Sequence, residues 1–369
     1  MINVLVFGMT DNPGGMESCI MNYYRNLDIR DVHFDFLCNW DNMVYADEVE
    51  ANGSKIYTIC KKSEDYKKYK KQLKSFFREH AKDYDVFWYN TCTLTNIDYL
   101  IYSKKYGIKK RIIHAHNSGN ETSKLRGILH WINKARLTGY ATHYWSCSMA
   151  ASKYFYNDNI IWSKKHHIIN NAIQTKEYEY DDSVRKEIRD KLNLTDKFVI
   201  GHVGRFQYQK NHEFLVEIFK EFLQLKDNAV LMLVGQGENE SIIKEKVKEL
   251  NIQEKVLFMG VRSDVNRLLQ AMDAFVLPSR FEGLGIVLVE AQTAGLKCYT
   301  SKDKVPSEVN ITGNVEFIEL NNNADEWAKK IYNASHQQCD RGQYIKSVVD
   351  AGYDINTETK KFISYICEE

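Results

Sequence analysis

Glu282 and Glu290 flank a glycine-bearing turn in the run Pro278-Ser279-Arg280-Phe281-Glu282-Gly283-Leu284-Gly285. The apolar residues before it read as a buried strand, and those after it as a helix opening near Gly285. Free N–H groups and the positive dipole end of such a helix face the crevice at the strand carboxyl ends, a place for phosphate. Glu282, in the loop, can meet a ligand at the helix mouth. Glu290, more than a turn into the helix, can reach sideways to hydroxyls. The alternative is that the glycines only shape a turn and Glu290 is a solvated helix residue.

A second chemical signal lies upstream. The apolar run Phe198 to Gly204 leads into Arg205, with Lys210 five residues on and a helical pattern from Asn211. A guanidinium and an ammonium at a strand's carboxyl end form a cationic clamp for a diphosphate and stabilise charge growing on a leaving phosphate. Taken alone, the two are ordinary surface charges; with Glu282 and Glu290 they make a ligand site. His116, at the end of the run Arg111 to His116, is a further candidate against a purely structural histidine, and His114, on the same strand face, suits packing.

These residues need strands and helices in alternation. Strands are expected at Asn3 to Gly8, His33 to Cys38, Lys55 to Cys60, Asp85 to Asn90, Arg111 to His116, His143 to Ser148 and His167 to Asn171. After a polar stretch, Gln174 to Asp182, they resume at Phe198 to Gly204, Ala229 to Gly235, Lys255 to Gly260, Ala274 to Ser279 and Lys297 to Ser301. Intervening helical patterns predict an α/β chain of two doubly wound, parallel-sheet domains. The expected division is 1–172, 173–350 and a closing helix in 351–369 that packs back on the first domain. A chain of 369 residues has length for two cores.

The ordered motifs resemble the GT-B glycosyltransferases of family four, the retaining, nucleotide-sugar-dependent enzymes of bacterial polysaccharide and capsule assembly. The resemblance rests on G-R-x-x-x-x-K at Gly204, Arg205 and Lys210, V-G-x-G at Val234 to Gly237, and F-x-G at Phe258 to Gly260. It continues in P-S-x-x-E-G-x-G-x-x-x-x-E-A at Pro278 to Ala291. In the amino half it rests on Pro13-Gly14-Gly15-Met16-Glu17 and on His114-Ala115-His116-Asn117. The resemblance implies a GT-B fold, two Rossmann-like domains facing a central cleft. It implies that Gly204, Arg205 and Lys210 hold the donor diphosphate, that Glu282 and the backbone of Gly283, Leu284 and Gly285 hold the transferred sugar, and that Glu290 holds the ribose. The base would lie near Gly260, Val261 and Arg262, Gly14 and Gly15 would admit phosphates or acceptor, and His116 would contact the reacting sugar. The activity implied is transfer of a hexose from a nucleoside diphosphate sugar, with uridine the expected base, to a glycan or lipid-linked saccharide hydroxyl. Two departures stand out: Asn171-Ala172-Ile173-Gln174 puts alanine where the family has a glycine hinge, and Gly295-Leu296-Lys297-Cys298 replaces Gly-x-Pro-Val.

No D-x-D motif stands at a strand's carboxyl end, so no metal and no cofactor beyond the nucleotide sugar is expected. A nucleotide-sugar 2-epimerase of the same fold and a non-catalytic nucleotide-sugar-binding partner of another transferase remain as alternatives. Lys plus Arg number 50 against 49 Asp plus Glu, which leaves no global field for nucleic acid. Two basic-aromatic stretches, Lys61 to Lys82 and Lys124 to Arg136, suggest contact with an anionic membrane surface; the alternative for the first is an ordinary helix with a solvated lysine face. No apolar run approaches the roughly 20 residues of a membrane span, and Met1 to Gly8 reads as a strand, not a signal peptide. The 8 cysteines, Cys19, Cys38, Cys60, Cys92, Cys147, Cys298, Cys339 and Cys367, form no C-x-x-C pair and are read as reduced core residues of a cytoplasmic protein, peripheral at the inner face of the membrane if the basic stretches bind it.

Overall fold

The computed structural model describes residues 1–28, 30–119, 124–335 and 340–368. It divides into two compact units, Met1–Ala172 with Ile355–Glu369, and Ile173–Asp354. The second unit is thus inserted in the chain of the first, and residues 351–354 belong to it.

The first unit holds seven strands, β1 (Ile2–Phe7), β2 (Val32–Cys38), β3 (Ile56–Thr58), β4 (Val86–Thr91), β5 (Lys110–Ala115), β6 (His143–Ser146) and β7 (His166–Ile168). They pair in parallel in the order β3-β2-β1-β4-β5-β6-β7. Its core runs from Val4 and Val6 through Phe34, Trp88 and Trp145 to Phe362. The closing helix Ile355–Cys367 lies against the helix Gly15–Asn26, with Tyr23 and Phe362 stacked at 4.5 Å.

The second unit holds β8 (Phe198–Val203), β9 (Ala229–Val234), β10 (Val256–Phe258), β11 (Ala274–Leu277), β12 (Lys297–Ser301) and β13 (Val315–Ile318). Their order is β10-β9-β8-β11-β12-β13, again parallel. Strands expected to run through Gly8, Cys60, His116, Ser148, Asn171, Gly204, Gly235, Gly260 and Ser279 stop one to three residues sooner. At Gly8, Gly235 and Gly260 the chain turns off the sheet with φ of +138°, +133° and +65°. Those turns put the candidate residues in loops just beyond the ladder. β13 was not among the expected strands: only its two end residues are buried, so it lacks a continuous apolar run.

Ala172 is not in the left-handed region; it is buried, and its carbonyl accepts from Asn22 Nδ2 at 2.8 Å. The substitution of the family's glycine therefore carries no backbone strain here. Cys19, Cys38, Cys147 and Cys298 are buried, but Cys92 and Cys367 are exposed and Cys60 half-buried, so the core reading fails for these three. Cys339 lies outside the described residues. Among the described residues, no helix is long and apolar enough to cross a membrane.

Candidate active site

The strand order of the second unit reverses between β8 and β11, and open α/β sheets bind ligands beyond the strand carboxyl ends at such a reversal. Lys210 comes from the loop after β8 and Glu282 from the loop after β11. Lys210 Nζ meets Glu282 Oε1 at 2.7 Å, with side-chain exposures of 14% and 6%. Ser279 Oγ donates to the same oxygen at 2.6 Å, and Gln209 Nε2 to the other at 3.2 Å. A carboxylate so buried needs such donors, and they fix its orientation. The two loops are knitted further: Arg280 N donates to Gln209 O (2.8 Å), Arg280 Nη2 to Asn211 Oδ1 (2.8 Å), and Asn211 Nδ2 to Pro278 O (3.1 Å). Asn211, with φ +56°, starts the helix His212–Leu225, a left-handed position that asparagine tolerates.

Arg205 pairs with a different acid, Glu238, at 3.6 Å, and both side chains are about half exposed. Its backbone is held from the β9 side, because Gly204 N donates to Val234 O (2.9 Å) and Phe206 N to Gln236 O (3.0 Å). This approach requires glycine: a Cβ on Gly235 would lie 2.2 Å from Gly204 O, and one on Gly237 would lie 2.3 Å from Phe206 O. Behind the loop, His202 Nδ1 donates to Val276 O at 2.8 Å, and His202 and His212 meet ring to ring. Burial lowers His202 to about 4 and His212 to about 2, so both are neutral near pH 7.

The helix Ile286–Thr293 begins at Gly285, whose φ of +85° suits glycine. Gly283 and Leu284 form the turn before it, and Leu284 is buried. Glu290 is partly buried; burial raises its carboxyl to about 7 against the pull of a hydrogen bond from Tyr178. Val261 is 53% exposed beside Gly260, and Arg262 is paired with Asp264 at 2.7 Å.

In the first unit the strand order reverses between β1 and β4. Gly8 passes so near Asn90 that a Cβ would lie 2.6 Å from that of Asn90. Asn90 Oδ1 accepts from His116 Nε2 at 2.9 Å, which leaves His116 Nδ1 a buried lone pair without a partner. Burial lowers His116 to about 3 and carries His114, 4.0 Å away ring to ring, well below the ordinary imidazole value. Gly14 and Gly15 open the helix Gly15–Asn26, and the buried Glu17 of its first turn accepts from Thr10 Oγ1 at 2.8 Å.

Residues 184–348 match the family model described as "Glycosyl transferases group 1". The chain is similar to the putative glycosyltransferase EpsF of Bacillus subtilis, with 26% identity over 93% of this chain and 90% of that protein. It is 35% identical to the Escherichia coli UDP-Gal:alpha-D-GlcNAc-diphosphoundecaprenol alpha-1,3-galactosyltransferase, over 32% of this chain and 30% of that one. The solved structure of Anabaena HepE in complex with UDP and glucose has a TM-score of 0.82 and 16% identity over the full length of both chains. The family match lies within the second unit, the one that holds the Lys210–Glu282 pair. The fold of the chain is GT-B.

Sequence reasoning missed Gln209, Ser279, Tyr178 and Asn90. Ser279 lies inside a motif and Gln209 beside Lys210, so adjacency was the available signal. Asn90 reaches His116 only through the β4–β5 register, which pairs Thr91 with Ala115, and nothing in the sequence announces that register. Among the described residues, no group of three or more His, Cys, Asp or Glu could hold a metal ion.

Proposed function

We propose that the chain moves a hexose from a nucleoside diphosphate sugar, with uridine as base, to a hydroxyl of a glycan or lipid-linked saccharide in bacterial exopolysaccharide or capsule assembly, retaining anomeric configuration without a metal. The observation that carries this reading is the buried Lys210–Glu282 pair at the strand-order reversal of the second unit. The UDP named in the HepE structure and in the E. coli relative supports the choice of base.

In this reading Lys210 and Arg205 meet the diphosphate, whose charge grows as its bond to the sugar carbon breaks. The departing phosphate oxygen takes the acceptor's proton on the face it leaves, and the acceptor oxygen bonds to the same carbon from that side. Glu282, pinned by three donors, orients the sugar. His116, neutral and oriented by Asn90, is the first unit's own candidate contact for a saccharide. Glu290 accepts the ribose hydroxyls.

The test is a thermal-shift screen of uridine and guanosine diphosphate sugars, followed by transfer assays in EDTA. A ligand at 100 times its Kd stabilises the native state by about 2.7 kcal/mol, so one uridine sugar should raise Tm clearly. Turnover should be unchanged by chelator. An absolute Mg²⁺ or Mn²⁺ requirement contradicts the mechanism, and a new sugar isomer formed from donor alone, without acceptor, identifies an epimerase instead.

The raised Glu290 carboxyl gives a pH prediction. Ribose binding to the ionised form weakens as pH falls through about 7, so uridine affinity should drop about tenfold between pH 8 and pH 6. Glu290→Gln, which cannot ionise, should bind weakly and show a flat profile. Calorimetry with uridine itself avoids titration of the phosphate. Parallel profiles for both proteins exclude Glu290 from the ribose site.

A further inference from the structure

The helix Lys124–Arg136 is turned inside out. Its two buried side chains are polar: Leu94 N donates to His130 Nδ1 (3.2 Å), Asn133 Nδ2 donates to Leu94 O (2.6 Å), and His130 Nε2 donates to Tyr154 O (3.2 Å). The side chains left in solvent are apolar: Leu125 is 67% exposed, Ile128 56%, Leu129 40%, Trp131 65% and Ile132 51%. A helix placed only to cover a core does the reverse. Single exposed apolar residues need no explanation, but five on one short helix form a patch with a purpose.

The sequence of this helix contains no acid, and four cations, Lys124, Arg126, Lys134 and Arg136, bracket the apolar residues at both ends. We propose that the helix lies in the interfacial plane of a bilayer bearing anionic lipid, its apolar side chains among the upper acyl segments and the cations at its two ends toward the phosphates, Lys134 excepted, whose Nζ donates to Lys153 O and Tyr154 O. At about 1.5 Å per residue it is roughly 20 Å long, too short to span a hydrocarbon core of about 30 Å. Charge selects lipid over a second copy, because two such helices face to face bring like charges together with no acid in either helix between them. The other basic stretch does not qualify. In the helix Tyr66–His80 the residues Tyr69, Leu73, Phe76 and Phe77 are buried, and Lys70 is paired with Asp98 at 3.0 Å; it is an ordinary helix with a solvated lysine face.

The inference is independent of the transfer reading, and UDP binding reports on that reading separately. The test is co-sedimentation of the full chain with vesicles of phosphatidylcholine alone and with added phosphatidylglycerol, at low and high salt. The wild type should pellet with the anionic vesicles and be released by salt. Ile128→Ser with Trp131→Ser should lower partitioning about a hundredfold, and Lys124→Glu with Arg126→Glu about tenfold or more. Both variants should keep the wild-type Tm, since the changed side chains face solvent. Wild-type protein wholly in the supernatant at low salt overturns the proposal. So does binding that survives Ile128→Ser/Trp131→Ser but is lost in Lys67→Glu/Lys68→Glu/Lys71→Glu. A wild-type dimer in sedimentation velocity that becomes monomeric in Ile128→Ser/Trp131→Ser, with no vesicle binding, assigns the face to a second copy instead.

Discussion

Lys210→Ala is expected to lower turnover about a thousandfold, the scale on which a group stabilising transition-state charge acts. The same substitution should also destabilise the protein, because Lys210 is the cation beside a carboxylate whose side chain is 6% exposed. Breaking a buried pair from one side costs about 3–5 kcal/mol, on the order of 10 °C in Tm for a unit of this size. The two effects separate in the double variant Lys210→Ala/Glu282→Gln. Removing the charge of Glu282 ends the uncompensated burial, and Ser279 and Gln209 remain to hydrogen-bond the amide. Stability should therefore recover while turnover stays low. Differential scanning fluorimetry and initial rates on the same preparations read both. If turnover recovers together with Tm, Lys210 serves the fold alone.

Gly235→Ala should be among the most damaging single methyl additions to the second unit. Its φ is +133°, and the new Cβ would lie 2.2 Å from Gly204 O and 2.9 Å from Gly204 C. Both obstacles are backbone, already committed by the bond from Gly204 N to Val234 O, so neither can swing aside as a flexible side chain does. Strain and overlap together should cost about 4 kcal/mol. Gly313→Ala is the control: it also has positive φ, +80°, but nothing lies within 4 Å of the added carbon. It should cost only about 1 kcal/mol. Equal losses of Tm in the two variants would show that backbone conformation, and not the approach of the two loops, is what Gly235 supplies.

Much of this architecture was legible because parallel strands buried on both faces write themselves as continuous apolar runs, as in Ala229 to Val234 and Ala274 to Leu277. The short edge strand Val315–Ile318 lacks such a run and left no trace. Of the candidate site, Lys210 and Glu282 announced themselves by motif, but their direct contact did not. It depends on two loops separated by the helix His212–Leu225, three further strands and the helices between them. Arg205 and Lys210 read as a joint clamp, yet each has its own acid, because a loop held on both sides by backbone bonds directs neighbouring side chains independently. The basic stretches show the opposite limit. Composition marks both Tyr66 to His80 and Lys124 to Arg136 as amphipathic, and only packing tells which one turns its apolar residues outward.

The insertion of the second unit into the first has a consequence for biosynthesis. Strands β1 to β7 leave the ribosome early, but the helix that covers Tyr23, Trp88 and Trp145 with Phe362 begins only at Ile355. Residues 173–354 must be made in between, which at about 5–20 residues per second takes on the order of ten to forty seconds. Throughout that interval Tyr23, Trp88 and Trp145 lack their contact with Phe362. The second unit, though begun later, is the first to have all its parts, and the first unit is completed only when the helix from Ile355 has followed it.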